Sequence, residues 1–336
     1  LIVKGGTVVD PSQNLHGVSD IAVENGKIVK VAADIPSEEA KRVVEVKGKV
    51  VTPGLIDLHT HVYSGVNANG VDPDIGGVRA AVTTMVDAGS SGCDNFGGFP
   101  AHIFPNTATE IICFLHICRT GLNTTPDIFS PDSINLDKTI EVISDNKGVI
   151  SGVKARMVSP ALEIMGMEMP RLAKRAAVEA GVPLMVHIGD TMKRYDTNVI
   201  RELLPILDKG DIVTHYFTAN PGGVLDSNSK LVPEAKEAHD RGVWLDTAHG
   251  QMNFSFEVGQ KILDQGVVPH CISTDLTVPG RANTVHSMTE MMTRFLAMGF
   301  TFDQVVTMST ENPAKAVQVD DRLGTLAVGK IGRAHV

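Results

Sequence analysis

The sequence predicts an α/β fold: a (β/α)8 barrel of the TIM type, with a small β-sandwich assembled from the two ends of the chain. Three observations carry this. From Pro53 onward, apolar strand-like runs recur at intervals of about thirty residues. Helix-like stretches ending in glycine lie between most of them, as expected for a parallel sheet covered on both sides. The polar residues that interrupt the apolar runs sit near their C-terminal ends, where barrel enzymes build their sites.

Composition permits such a domain and excludes several alternatives. The chain has 336 residues, 43% of them apolar, which is enough to bury a large core and is incompatible with disorder. Thirty Lys+Arg against 39 Asp+Glu give a net charge of −9 with no basic block, which argues against a nucleic-acid partner. No apolar run approaches the ~18–20 residues needed to cross a bilayer, so no membrane partner is expected. A charged leader followed by an apolar segment is likewise not seen, and the opening at Leu1 suggests that a preceding piece is missing. Cys93, Cys113, Cys118 and Cys271 make no spaced framework, and two of them lie in the apolar run IICFLHIC. A reducing, cytoplasmic protein without structural disulfides is expected.

The elements follow in order. Residues 1–52 contain short β-like pieces, LIVKGGTVVD, SDIAVENGKIVKVA and RVVEVKGKVV, with ENGKI as a hairpin turn; they form the first part of the sandwich. The barrel spans residues 53–311. Its strands are GLIDLHTH (54–61), TTMVDAG (83–89), EIICFLHI (110–117), VISGVKAR (149–156), PLMVHIG (183–189), DIVTHYF (211–217), VWLDTAHG (243–250) and VVPHCISTD (267–275). EMPRLAKRAAVEAG, TNVIRELLPILDKG and FSFEVGQKILDQG read as helices closed by glycine. An open doubly wound sheet is the runner-up, but it calls for a glycine-rich phosphate turn after the first strand, and none is present. HSMTEMMTRFLAMG and TFDQVVTMSTENPAKAV are helix-like, the methionine cluster serving as core packing. Residues 312–336 return to the sandwich, with GTLAVGK as a strand.

Candidate ligands close several of the barrel strands. His59 and His61 end the first, and the period of two points both to one face. Lys154 lies in the fourth strand, His187 ends the fifth, His215 the sixth, and Asp275 the eighth. Each has an ordinary reading by itself: His187 as a core histidine, Asp275 as a helix cap. Lys154 is harder to dismiss, because lysine is rarely buried without a partner. Four imidazoles, a carboxylate and a lysine at one rim make a ligand set for divalent zinc or manganese.

Substrate contacts are expected from residues around that set. Arg156 shares the face of Lys154 and suits a bidentate grip on a carboxylate. Strand period places Tyr63 with His59 and His61, His249 ends the seventh strand, and Asn220 precedes Pro-Gly-Gly at the same rim. DAGSSGCDNFGG lacks the pattern of a phosphate-binding loop and reads as a mobile rim loop. His16, His102, His239, His270, His286 and His335 have no convergent partners.

PGLIDLHTH, GVKAR, a histidine ending each of two successive strands, and STD together resemble the metal-dependent amidohydrolase superfamily, in its dihydroorotase-like deacetylase branch. The resemblance spans nearly the whole chain, from IVKGGTVVDP to GTLAVGK. It implies two divalent metal ions, one held by His59, His61 and Asp275, the other by His187 and His215. Lys154, as N6-carboxylysine, would bridge them, and Asp275 would move the proton during hydrolysis. The implied activity is binuclear metal-dependent cleavage of an N- or O-acetyl bond in a small carboxylate-bearing molecule. There are two departures: Tyr63 stands where dihydroorotases carry an arginine, and the chain closes on GKIGRAHV where the family continues GK-x-AD, so a truncated end is expected. A cyclic-amide hydrolase is disfavoured by Tyr63, a nucleobase deaminase by Lys154, and a non-catalytic scaffold by the six intact ligand positions. A homo-oligomer is expected, as for many barrels of this kind.

Overall fold

A computed structural model describes residues 1–195 and 198–332, and the backbone of 334–335. The side chain of His335, and Thr197 at the head of one helix-like stretch, lie outside the described residues. The chain begins in a small sheet built from β1 (Ile2–Asp10), β2 (Leu15–Glu24), β3 (Lys27–Ala32), β4 (Val43–Glu45) and β5 (Val50–Pro53). The predicted hairpin joins β2 to β3, with Asn25 (φ 49°) and Gly26 (φ 74°) in the left-handed region that a two-residue turn requires. Val8, Ile21, Ile28, Val46 and Val51 bury one face of this sheet.

Seven parallel strands follow among the described residues: β6 (Leu55–Thr60), β7 (Val82–Gly92), β8 (Glu110–His116), β9 (Ile150–Arg156), β10 (Leu184–His187), β11 (Ile212–Thr214) and β12 (Trp244–Asp246), paired in that order. Helices fill the crossovers. In Glu168–Ala180 the buried residues Met169, Ala173, Ala176, Ala177 and Ala180 recur at helical spacing, and Gly181 (φ 72°) ends the helix in the left-handed conformation.

The eighth strand differs from expectation. Residues 271–276 do close the barrel between β12 and β6, but through isolated bridges, Asp246 with Cys271 and Thr60 with Leu276, rather than a continuous ladder. Left-handed backbone at Ala248 (φ 27°) and Asp275 (φ 50°) interrupts the extended geometry that a ladder needs. The DAGSSG segment is also corrected: β7 continues through it to Gly92, and Ser90 and Ser91 are fully buried.

β13 (Ala334–His335) pairs antiparallel with β5, so that among the described residues the two ends of the chain together form the expected small β domain, whose strands are linked in one six-stranded sheet. GTLAVGK returns to that sheet without becoming a strand. Asp10 takes hydrogen bonds from the Thr325 hydroxyl (2.8 Å) and the Leu326 amide (2.6 Å), and Leu326 enters the core of the small domain. The four cysteines are free and buried. Among the described residues, no helix is long and apolar enough to cross a membrane.

Candidate active site at the mouth of the barrel

Alternation along the strands decides what enters the barrel. On β8, Ile112, Phe114 and His116 share one face; on β9, Gly152, Lys154 and Arg156; on β10, Met185 and His187. Ile112, Phe114, Met185, Ile212 and Cys271 cluster as an apolar floor, and Gly152 leaves the space that the Phe114 ring fills. The polar residues lie one step nearer the C-terminal ends, above that floor.

His59, His61 and Asp275 meet there, their ligating atoms all within 4.8 Å of one another. Asp275 Oδ1 is 3.2 Å from His61 Nε2 and 3.5 Å from His59 Nε2, and its other oxygen is 4.0 Å from His215 Nε2. The His187 and His215 rings stand 4.1 Å apart, and His215 lies 4.9 Å from His59. Lys154, 1% exposed, brings Nζ to 3.3 Å from His59 Nε2. All six predicted residues therefore converge.

The outward nitrogen of each imidazole is engaged, which fixes where the inward lone pair points. Thr214 donates its hydroxyl to Asp246 (2.7 Å) and so accepts from His59 Nδ1 (2.7 Å). Ser90 contacts His61 Nδ1 at 2.9 Å, and its own amide donates to Asp87. His215 Nδ1 donates to the Ala248 carbonyl (2.7 Å), and His187 is hydrogen-bonded to the Gly189 backbone. The Nε2 atoms of His187 and His215 are buried with no hydrogen-bond partner among the described residues. Burying such lone pairs unpartnered is costly, and a cation between the rings would satisfy both.

Electrostatics favour the same conclusion. Burial lowers His59 and His187, takes His215 to about 4, and takes the Lys154 amine down to about 7, so these three imidazoles are neutral. Burial also pushes Asp57 up to about 7, Asp246 to about 6 and Asp87 upward. Three carboxyls held by N–H and O–H donors beneath the site form an environment that a positive charge would stabilise. Asp275 is the exception. Burial would raise it, but the close approach of His61, with His215 and Lys154 nearby, holds it low.

The remaining predicted contacts divide. Arg156 reaches the mouth, 26% exposed, with Nη1 3.3 Å from Asp127 Oδ2. Tyr63 is corrected: β6 ends at Thr60, so the period of two no longer applies. Its ring stacks on Phe99 at 4.2 Å and its hydroxyl donates to the Asn95 carbonyl. His249 stacks on Phe254 (4.4 Å), donates from Nδ1 to the Gly250 carbonyl (2.7 Å) and accepts from Arg294 at Nε2, so its polar edges are already used. Asn220 donates to the Met252 carbonyl (2.9 Å) and braces the loop after β12.

The amidohydrolase family model matches residues 50–334. The chain belongs to the amidohydrolase family. It is 32% identical over 299 residues, 88% of this chain and 72% of the relative, to the deacetylase Atu3266 of Agrobacterium fabrum. A crystal structure of an adenine deaminase superposes with a TM-score of 0.89 at 28% identity, covering 99% of this chain and 88% of that one. That of a dihydroorotase gives 0.87 at 29%, covering 99% and 86%. This amidohydrolase is a hydrolytic enzyme acting on C–N bonds, in the dihydroorotase-like part of the superfamily.

The sequence reading missed the residues that support the amidohydrolase site. Asp57, Asp246 and His116 carried the signal used elsewhere, a polar residue at or near the end of an apolar strand, and Asp57 lies two before His59. Thr214 ends an apolar strand as well, whereas the roles of Ser90 and Arg294 arise only from contacts across the barrel.

Proposed function

We propose that this amidohydrolase is a binuclear metal-dependent hydrolase that removes an N- or O-acetyl group from a small carboxylate-bearing molecule. One observation carries the metal assignment: two buried imidazole nitrogens, on His187 and His215, have no protein partner among the described residues and stand beside the His59–His61–Asp275 cluster. His59, His61 and Asp275 would hold one divalent ion, and His187 and His215 a second, with Lys154 between them. Zinc or manganese suits nitrogen and carboxylate donors of this kind. Such ions would supply Lewis acidity to a substrate carbonyl and make water a stronger acid.

The chain's own residues provide the rest. The neutral Lys154 amine can add to carbon dioxide, forming an N–C bond and releasing one proton, and the resulting carbamate supplies two anionic oxygens. Asp275, ionised and left-handed at its backbone, takes a proton at its carboxylate from the attacking water and returns it to the leaving group. Arg156, open to the mouth, grips the substrate carboxylate. The small substrate and a reducing, cytoplasmic setting fit a chain whose four thiols are all buried and free.

A cyclic-amide substrate is the second reading, favoured by the dihydroorotase likeness. Tyr63 argues against it, being committed to Phe99 and Asn95. The test is a substrate screen with zinc- or manganese-loaded protein against N-acetyl and O-acetyl acids, cyclic amides and nucleobases. Turnover confined to acetylated acids is expected; turnover of dihydroorotate or hydantoins alone would overturn the acetyl assignment.

A further inference from the structure

One buried polar cluster at the same mouth has no task in this account. His116 ends β8, fully buried and in register with Lys154 of the adjacent β9. Its Nδ1 accepts the Cys118 amide at 2.9 Å, so the ring proton sits on Nε2, which is buried 3.4 Å from Asp127 Oδ2, within ion-pair distance but without hydrogen-bond geometry. That same oxygen is 3.3 Å from Arg156 Nη1. Asp127, 3% exposed at its side chain, is pinned elsewhere too: Oδ1 takes the Ile128 amide (3.1 Å), and its carbonyl takes the Cys118 thiol (2.8 Å). Burial would raise the Asp127 carboxyl, but the Arg156 charge and the adjacent His116 ring hold it well below the usual range.

Arg156 differs from the other arginine at this rim. Arg294 spends Nη1 on His249 and Nη2 on the Thr284 carbonyl and Glu290. Among the described residues Arg156 makes one hydrogen bond, through Nη1 to Asp127. Its remaining donors belong to a partly exposed side chain paired in register with His187. Lys154 and Arg156 are two residues apart on one strand, about 6.6 Å along it. A group gripped by Arg156 therefore lies on the same face of β9 as Lys154, beside the candidate metal cluster.

We infer that His116 and Asp127 are positioning residues that hold Arg156 as the reader of a substrate carboxylate. Asp127 fixes one edge of the guanidinium, His116 fixes Asp127, and the other edge meets the substrate. This rests on the carboxylate reading above and adds two residues to it. It also makes a prediction of definite sign. An anion beside Arg156 that served only to balance charge would repel a substrate carboxylate, so removing it would tighten binding. An anion that orients the guanidinium does the opposite.

The experiment compares the zinc-loaded parent with Asp127→Asn, His116→Ala, His116→Gln, Arg156→Met and the Asp127→Asn/Arg156→Met double variant. The substrates are an N-acetyl amino acid and its carboxamide. Asp127→Asn is expected to raise KM for the acid about tenfold with a much smaller change in kcat, and to shrink the acid-over-amide ratio of kcat/KM. The double variant should be no worse than Arg156→Met alone. His116→Ala should repeat the loss, and His116→Gln, whose amide can both accept from Cys118 and donate to Asp127, should recover most of it; this pair decides the matter should Asp127→Asn not fold. An unchanged acid preference in Asp127→Asn, a lower KM for the acid, or losses that multiply in the double variant would overturn the inference while leaving the carboxylate reading intact. A parent that treats acid and amide alike overturns that reading, and the inference with it.

Discussion

Thr214 shows how a residue without metal-binding chemistry can orient a candidate metal ligand. Its hydroxyl is donated to Asp246, so only its lone pairs are left for His59 Nδ1, and the His59 proton is held on the outward nitrogen. Thr214→Val keeps the shape and deletes the link. It is expected to weaken metal binding about ten- to a hundredfold, read by competition with a chelator, while the protein stays folded. Gly250 acts by what it lacks: with φ at +56°, a Cβ there would fall 2.3 Å from Asp275 Oδ2. Gly250→Ala should displace that carboxylate and lower kcat by about tenfold or more, and should cost about 1 kcal/mol of stability from backbone strain; unchanged kcat would remove Asp275 from the proton path. At this scale the convergence of the six candidate positions was legible in the sequence, because each lies in or just beyond an apolar, strand-like run. The partners that orient them were not, since Thr214 and Ser90 are chemically ordinary until the barrel closes. Tyr63 was misplaced for a definable reason: the period-two argument was carried past the end of its strand.

At the scale of elements, turn and cap chemistry was read well and the closing segment less so. Asn25-Gly26 and Gly181 do what their backbone freedom allows. Residues 267–275 were expected as a strand, yet left-handed geometry at Asp275, and at Ala248 beyond β12, belongs to the site and is invisible in an apolar run. Asp74 is an element-level tie that the sequence did not signal. It accepts from the Thr107 and Thr109 hydroxyls (2.6 and 2.8 Å) and from the Thr109 amide (2.9 Å), joining the short helix Pro73–Gly76 to the approach to β8. Burial would raise its carboxyl, but these donors lower it to about 2. A carboxyl depressed on folding stabilises the protein above its unfolded pKa of roughly 4 and loses that contribution as pH falls through about 2. Asp74→Ala should therefore cost ~1–2 kcal/mol at neutral pH. The gap between variant and parent in denaturant melts should narrow between about pH 4 and pH 2; a gap independent of pH would mean that the Asp74 charge contributes nothing.

Across the whole molecule, the candidate ligands come from β6 and the residue after it, from β9 and β10, from the residue after β11 and from the segment that closes the barrel. An ion held by that set cross-links elements far apart in sequence and binds the folded state alone, so it should stabilise by mass action. Exhaustive chelation is expected to lower the melting temperature by about 5 °C or more, with recovery that depends on the zinc concentration added back. No shift would mean that the cluster is empty in the working protein. The fold was legible at this scale because strand spacing and glycine caps repeat, and because family likeness runs from residue 50 to 334. The small domain built from the chain's two ends was legible too, but the strand order within it was not, since pairing between distant segments leaves no local pattern.

The most direct measurement is the divalent metal content of protein prepared without chelator, for the parent and for Lys154→Ala. Close to two ions per chain in the parent, with loss of at least one and collapse of turnover in the variant, is the predicted result. A parent without bound metal, or a Lys154→Ala protein that keeps both ions and full turnover, would contradict the account.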